Sequence, residues 1–137
     1  MQPRDETIAA RLGAVRERIA EACRRAGRGT DEVTLLAVSK TQPAEALREA
    51  WEAGQRAFGE SYLQEALDKI EALRGLTGVE WHFIGPLQSN KTRRIAWNFQ
   101  WVHGVDRLKV ARRLSEQRPE GLPPLSVCIQ VNTSGEA

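Results

Sequence analysis

Val33-Thr34-Leu35-Leu36-Ala37-Val38-Ser39-Lys40-Thr41, with Gln42-Pro43 and a helical pattern as far as Gly54 behind it, is the stretch whose reading decides the fold. Six aliphatic or β-branched residues in a row are too few for a helix and read as a buried strand over 33–38. Pro43 then opens a helix through Ala53, at a first-turn position where its missing N–H is tolerated. Gly54 closes that helix. The same unit recurs along the chain. Residues 56–59 read as the second strand, and Leu63, Leu67, Ile70 and Leu73 mark the helix after it. Residues 79–84 read as the third, followed by a helix near 92–98. Residues 101–105 read as the fourth. Asp106 stands where it can N-cap a helix carrying Leu108, Val110, Ala111 and Leu114. Beyond a proline-rich loop over 119–124, residues 125–131 read as the fifth. The strand markers Leu35, Ala57, Trp81, Trp101 and Leu125 lie 22, 24, 20 and 24 residues apart. Strands alternating with helices at that pitch make a parallel sheet with right-handed crossovers.

Ahead of the first strand, Ile8, Leu12, Val15, Ile19 and Ala22 form one apolar stripe of a helix over 6–26, which Gly27 and Gly29 stop. Two architectures accommodate the whole pattern. Five strands complete an open doubly wound sheet, whereas they are five of the eight in a barrel of roughly 250 residues. No glycine-rich dinucleotide fingerprint follows the first strand, where a Rossmann-type sheet would carry one. The final Asn132-Thr133-Ser134-Gly135-Glu136-Ala137 follows a strand without a covering helix, which reads as truncation. Periodicity alone leaves both architectures open.

Composition narrows the class. The chain has 137 residues, one domain's worth, with 41% hydrophobic and 28% charged residues, as in globular proteins. No run approaches the roughly 18 apolar residues of a membrane span. The opening Met1-Gln2-Pro3-Arg4-Asp5-Glu6 does not read as a signal peptide. Cys23 and Cys128 have no metal-ligand spacing; two buried thiols in a reducing, cytoplasmic compartment is the simpler reading, with a single disulfide as the alternative. Twenty basic against eighteen acidic residues leave a net charge of +2, too balanced to argue for nucleic acid. The pairs Arg24-Arg25, Arg93-Arg94 and Arg112-Arg113 fall in separate helical patterns and read as solvated faces.

In parallel α/β folds, functional side chains gather at the carboxyl ends of the strands. Lys40 is the leading candidate there. Burial at the end of an apolar strand would disfavour its ammonium and produce the amine that Schiff-base chemistry needs; the alternative is a lysine that simply reaches solvent. His82 alternates with Trp81 and Phe83 and so faces away from them, and a core histidine bonded to backbone is the plainer reading. Gly85-Pro86-Leu87-Gln88-Ser89-Asn90-Lys91 could hold an anion at a helix N-terminus or be a turn capped by Ser89 or Asn90. Glu60 and Asp106 suggest no carboxylate pair, and Cys128 reads as a small core hydrophobe.

Leu35-Leu36-Ala37-Val38-Ser39-Lys40-Thr41, Phe58-Gly59-Glu60 with Tyr62 and Gln64-Glu65, and the eleven residues from Trp81 to Lys91 together resemble the pyridoxal 5′-phosphate (PLP) homeostasis protein family. So do Val105-Asp106-Arg107 and Gln130-Val131-Asn132, in the right order. The resemblance implies a (β/α)8 TIM barrel of the alanine-racemase N-terminal-domain type (PLP fold type III), here truncated after about five strands, with residues 1–137 as a single partial domain. It implies PLP held as a Schiff base on Lys40, with Ser61, His82 and Asn132 as further cofactor-binding positions and no metal. It implies intracellular PLP homeostasis without catalytic turnover, with PLP and PLP-dependent apo-enzymes as partners. A PLP-dependent amino-acid racemase or decarboxylase on the same fold is the alternative, and RNA binding through the arginine pairs a third. Two positions depart from the family pattern: Ser61 stands where the family has asparagine, and Gln42 where many members carry a second lysine. Phosphate sites of such barrels are built after strands seven and eight, so this segment alone is expected to bind PLP weakly or not at all.

Overall fold

A computed structural model describes residues 7–135. Helix α1, Ile8–Ala26, starts at Thr7, whose Oγ1 accepts the Ala10 amide, and ends at Gly27 with φ +71°. Both ends therefore carry capping geometry. Strand β1 (Ala37–Val38) leads to α2 (Ala44–Glu52), β2 (Ala57–Glu60) to α3 (Leu63–Ala72), and β3 (Glu80–Phe83) to a 3₁₀ turn and α4 (Thr92–Asn98). Strand β4 (Trp101–Val105) leads to α5 (Leu108–Gln117), and β5 (Ser126–Ile129) follows.

All five strands are parallel and lie in the order β1-β2-β3-β4-β5. A doubly wound sheet starts in its middle and reverses direction at a switch point. Here each strand instead pairs with its neighbour in sequence, the progression of a (β/α) barrel wall, and that order decides between the two architectures. Between Val102 and Val105 the β4–β5 register slips, and Gly104 sits in the slip with φ +79°, a conformation open to glycine at no steric cost.

The core lies between the sheet and the helices that cover one face. Phe58, Trp81, Phe83 and Val102 from the strands meet Leu47, Leu63, Ile95, Phe99, Val110 and Leu114. Phe83 and Phe99 pack edge to face with ring centres 5.3 Å apart. Val127 pairs in register with Val102, yet no described helix covers β5, and Ile129 is 78% exposed.

Several elements differ from expectation. The first strand was expected over 33–38, but only Ala37 and Val38 pair with β2. The Leu35 carbonyl instead accepts the Gln55 side chain at 2.8 Å, so a side chain takes the place of a ladder bond. Pro43 stands at the N-cap of α2 rather than inside it. Asp106 does not cap α5: Arg107 holds the N-cap position, with no side-chain cap, and Asp106 lies beside its guanidinium. Cys23 is buried, as expected, but Cys128 is exposed on uncovered β5 and is no core residue; both thiols are free. Glu6, the expected first residue of α1, lies outside the described residues, as does the rest of the opening segment.

Candidate functional site at the strand ends

Strand register lays out the sheet face opposite the helices. Val38, Gly59, His82, Trp101 and Ser126 form one row across it. Lys40, Ser61 and Ile84 each come two residues after a member of that row, just past the carboxyl ends of β1, β2 and β3. Gly59 sits where the face is tight: a Cβ there would lie 3.1 Å from Ile84 Cδ1 and 3.4 Å from Leu36 Cδ2, and these side chains would have to shift. Gly85 is required, since a Cβ would collide with the carbonyl oxygen of Ser61. The invariable sense of both glycines is close approach, not flexibility.

Lys40 follows β1 and is exposed, so the burial expected to favour its neutral amine is not there. Ser39 beside it is buried. Among the described residues, none pairs with the Lys40 ammonium. The next residue, Thr41, has φ +67°. A β-branched residue in that region costs on the order of 1–3 kcal/mol and persists only where surrounding contacts hold it.

Those contacts come from beneath the turn. Glu60, at the end of β2, is fully buried on the helix side and accepts the Ser39 hydroxyl. Lys69 of α3, 5% exposed, donates to Glu60 Oε2 at 2.9 Å, to Ser39 O at 2.7 Å and to Glu65 Oε2 at 2.6 Å. Glu65 Oε2 also accepts the Thr41 amide at 2.6 Å. The hydrogen bond from Lys69, then the Thr41 amide and the Lys69 charge, hold the Glu65 carboxyl below its usual range against opposing desolvation. The peptide groups on both sides of Lys40 are thus tied to one ion cluster. Sequence reading missed Lys69, because a lysine in an amphipathic helix reads as a solvated residue. The available signal was Glu65-Lys69 at i,i+4 spacing beside a glutamate ending an apolar strand.

His82 is buried but not bonded to backbone. Its Nδ1 lies 3.0 Å from His103 Nε2 and its Nε2 lies 2.9 Å from Glu80 Oε1. Its ring stacks on Trp101 with centres 5.5 Å apart and planes within 2°. Burial, and then the neighbouring His82, lower the pKa of His103. Ser61 is half-buried at the exit of β2, and exposed Asn132 lies past β5 with its Oδ1 accepting the Gly135 amide at 3.0 Å. Lys40, Ser61 and Asn132 therefore share the carboxyl end of the sheet, with β1 and β5 at its opposite edges, while His82 lies inside β3. In the Gly85–Lys91 loop, Ser89–Lys91 form the 3₁₀ turn and no side chain caps α4. Of the arginine pairs, all but Arg113 are exposed.

A consecutive parallel β/α wall with its reactive groups at the strand carboxyl ends defines a barrel-type α/β protein. More narrowly, the chain belongs to the alanine racemase N-terminal domain family, whose model matches residues 10–136. It is 66% identical over 131 residues to the pyridoxal phosphate homeostasis protein of Pseudomonas aeruginosa, covering 96% of this chain and 56% of that protein. Against the protein of the same name from Escherichia coli K12 it is 58% identical, covering 94% and 56%. The chain spans about half the length of the curated relatives it matches. Among solved structures, PipY of Synechococcus elongatus without PLP superposes with a TM-score of 0.79 at 40% identity, covering 92% of this chain and 54% of that one. PipY with PLP bound superposes with a TM-score of 0.61 at 45% identity, covering 72% and 47%.

Proposed function

We propose that this chain contributes the lysine-bearing part of a PLP-binding barrel and serves intracellular PLP homeostasis, with PLP held as a Schiff base on Lys40. The observation that carries the reading is an exposed lysine at the end of β1, without a partner among the described residues and with its backbone fixed on both sides. It stands in a chain 45% identical to a PipY structure with PLP bound. The residues fit such a group: an accessible amine lies at the sheet end where this fold class gathers its ligands, and the tight layer around Gly59 gives that face an apolar floor. PLP supplies an aldehyde. Lys40, once its ammonium has released a proton to solvent, would be the amine that meets that aldehyde. Ser61 and Asn132 are positioned to border the cofactor, and His82 to support it from the layer below.

The role is carriage and supply without turnover, in the cytoplasm, with PLP-dependent apo-enzymes as recipients; the names of the curated relatives support homeostasis. The description of the matching family favours a second reading, an amino-acid racemase. Absorbance spectra of the full-length protein and of Lys40→Ala, after incubation with PLP and removal of excess, test the first. A Schiff-base band in the parent alone supports it, and a band of equal size in both overturns it. Turnover of D- or L-alanine by the loaded protein would favour the racemase instead.

A further inference from the structure

We infer that Glu65 and Lys69 of α3 are positioning residues for Lys40, setting the direction of its amine through the backbone. The inference rests on the reading of Lys40 as the cofactor lysine. A lysine carries four flexible methylenes, so the exit direction of its Cα–Cβ bond decides which volume the amine samples. That direction is fixed by the peptide groups before and after it. Ser39 O, on one side, accepts Lys69 Nζ at 2.7 Å, and the Thr41 amide, on the other, donates to Glu65 Oε2 at 2.6 Å. The two holders are themselves joined at 2.6 Å, and Glu60 anchors Lys69 to β2.

Two features separate this from ordinary packing. Joining α3 to β2 needs only the Glu60–Lys69 pair, yet Glu65, at the rim of the cluster, spends the same oxygen on Lys69 and on a turn amide. The turn so held contains Thr41 at φ +67°, a conformation the residue would leave if released. The segment from Ser39 to Thr41 is outside regular structure, and its one reactive side chain is that of Lys40. Displacing a reacting group by about 1 Å costs up to roughly a hundredfold in rate, and the clamp suppresses that displacement.

The test uses the full-length protein, with PLP as the probe. Borohydride trapping followed by peptide mapping gives the rate of bond formation at Lys40, and hydrogen exchange at the Thr41 amide reports the clamp. Glu65→Ala leaves the buried Glu60–Lys69 pair in place, and should slow trapping at Lys40 by roughly tenfold while speeding Thr41 exchange and lowering the melting temperature only modestly. Glu65→Gln keeps an acceptor for the amide and should restore most of the rate. Should Glu65→Ala fail to fold, Glu65→Asp, which keeps the charge but draws the oxygen back, carries the same expectation. Trapping at the parent rate in the folded variant overturns the clamp alone, the cofactor reading surviving. A parent that traps nothing at Lys40 overturns that reading, and the inference with it.

Discussion

Glu65 is the residue whose chemistry can be read most directly in solution. Its folded pKa is held below the ordinary 4.5, chiefly by Lys69. Its contribution to stability is therefore complete above the unfolded value and is lost as pH falls through the lower folded one. Denaturant titrations at descending pH should show Glu65→Gln losing less stability on acidification than the parent; equal losses would remove Glu65 from the account. His103 is lowered by burial and by His82, so the unfolded state takes up its proton first as pH falls. Stability linked to it is present above 6.5 and is lost below, and His103→Gln should flatten the profile there. Lys69→Met strands the buried Glu60 carboxylate and should cost about 3–5 kcal/mol in denaturant unfolding. The double variant Lys69→Met/Glu60→Gln should recover much of that loss. The place of Lys40 at the end of β1 was legible because a lone lysine closing an apolar strand stands out by position. Its exposure was not: the sequence pattern places the residue at the strand end but cannot reveal that Ser39, rather than Lys40, turns into the packed layer. Glu80, two residues back on the same face of β3, is a partner of His82 that alternation could have announced; His103 was illegible, because no sequence spacing announces a cross-strand pair.

Elements were legible where their periods are long and their stops strong. Helix α1 has its stripe and its glycine, and the five strands fall where the aliphatic runs do. The short ends were not, because pairing rather than composition sets them: the Gln55 side chain occupies the Leu35 carbonyl, and β1 shrinks to two residues. Arg118 is another side chain that completes an element. It donates to Ala96 O and Phe99 O, at 2.7 and 2.6 Å, and to Pro123 O at 3.0 Å, tying the end of α4 to the loop before β5. Burial lowers its pKa, but a guanidinium remains charged throughout the working range. Arg118→Met should destabilise by about 1–3 kcal/mol in chemical unfolding, through carbonyls left without their donor. A change within about 0.5 kcal/mol would mean that water replaces the donor. Ile95 is packed against the covered face of the sheet, and Ile95→Ala should cost about 2–5 kcal/mol in denaturant unfolding.

For the whole molecule, the strand order was the deciding fact that periodicity could not supply. Spacings of 20 to 24 residues between strand markers suit both an open sheet and a barrel wall; only the pairing of each strand with its immediate successor separates them. The same order has a consequence for how the chain acquires its shape. Each crossover brings together partners that leave the ribosome one after the other, so loop closure never has to reach across a missing strand. Parallel pairing is slow compared with helix packing, but separations of 20 to 24 residues keep each closure within one β/α unit. Synthesis supplies residues at about 5–20 per second, slowly enough for one β/α unit to dock before the next emerges. The sheet can thus grow from β1 outward in the order of translation, each finished edge serving as the template for the strand being made.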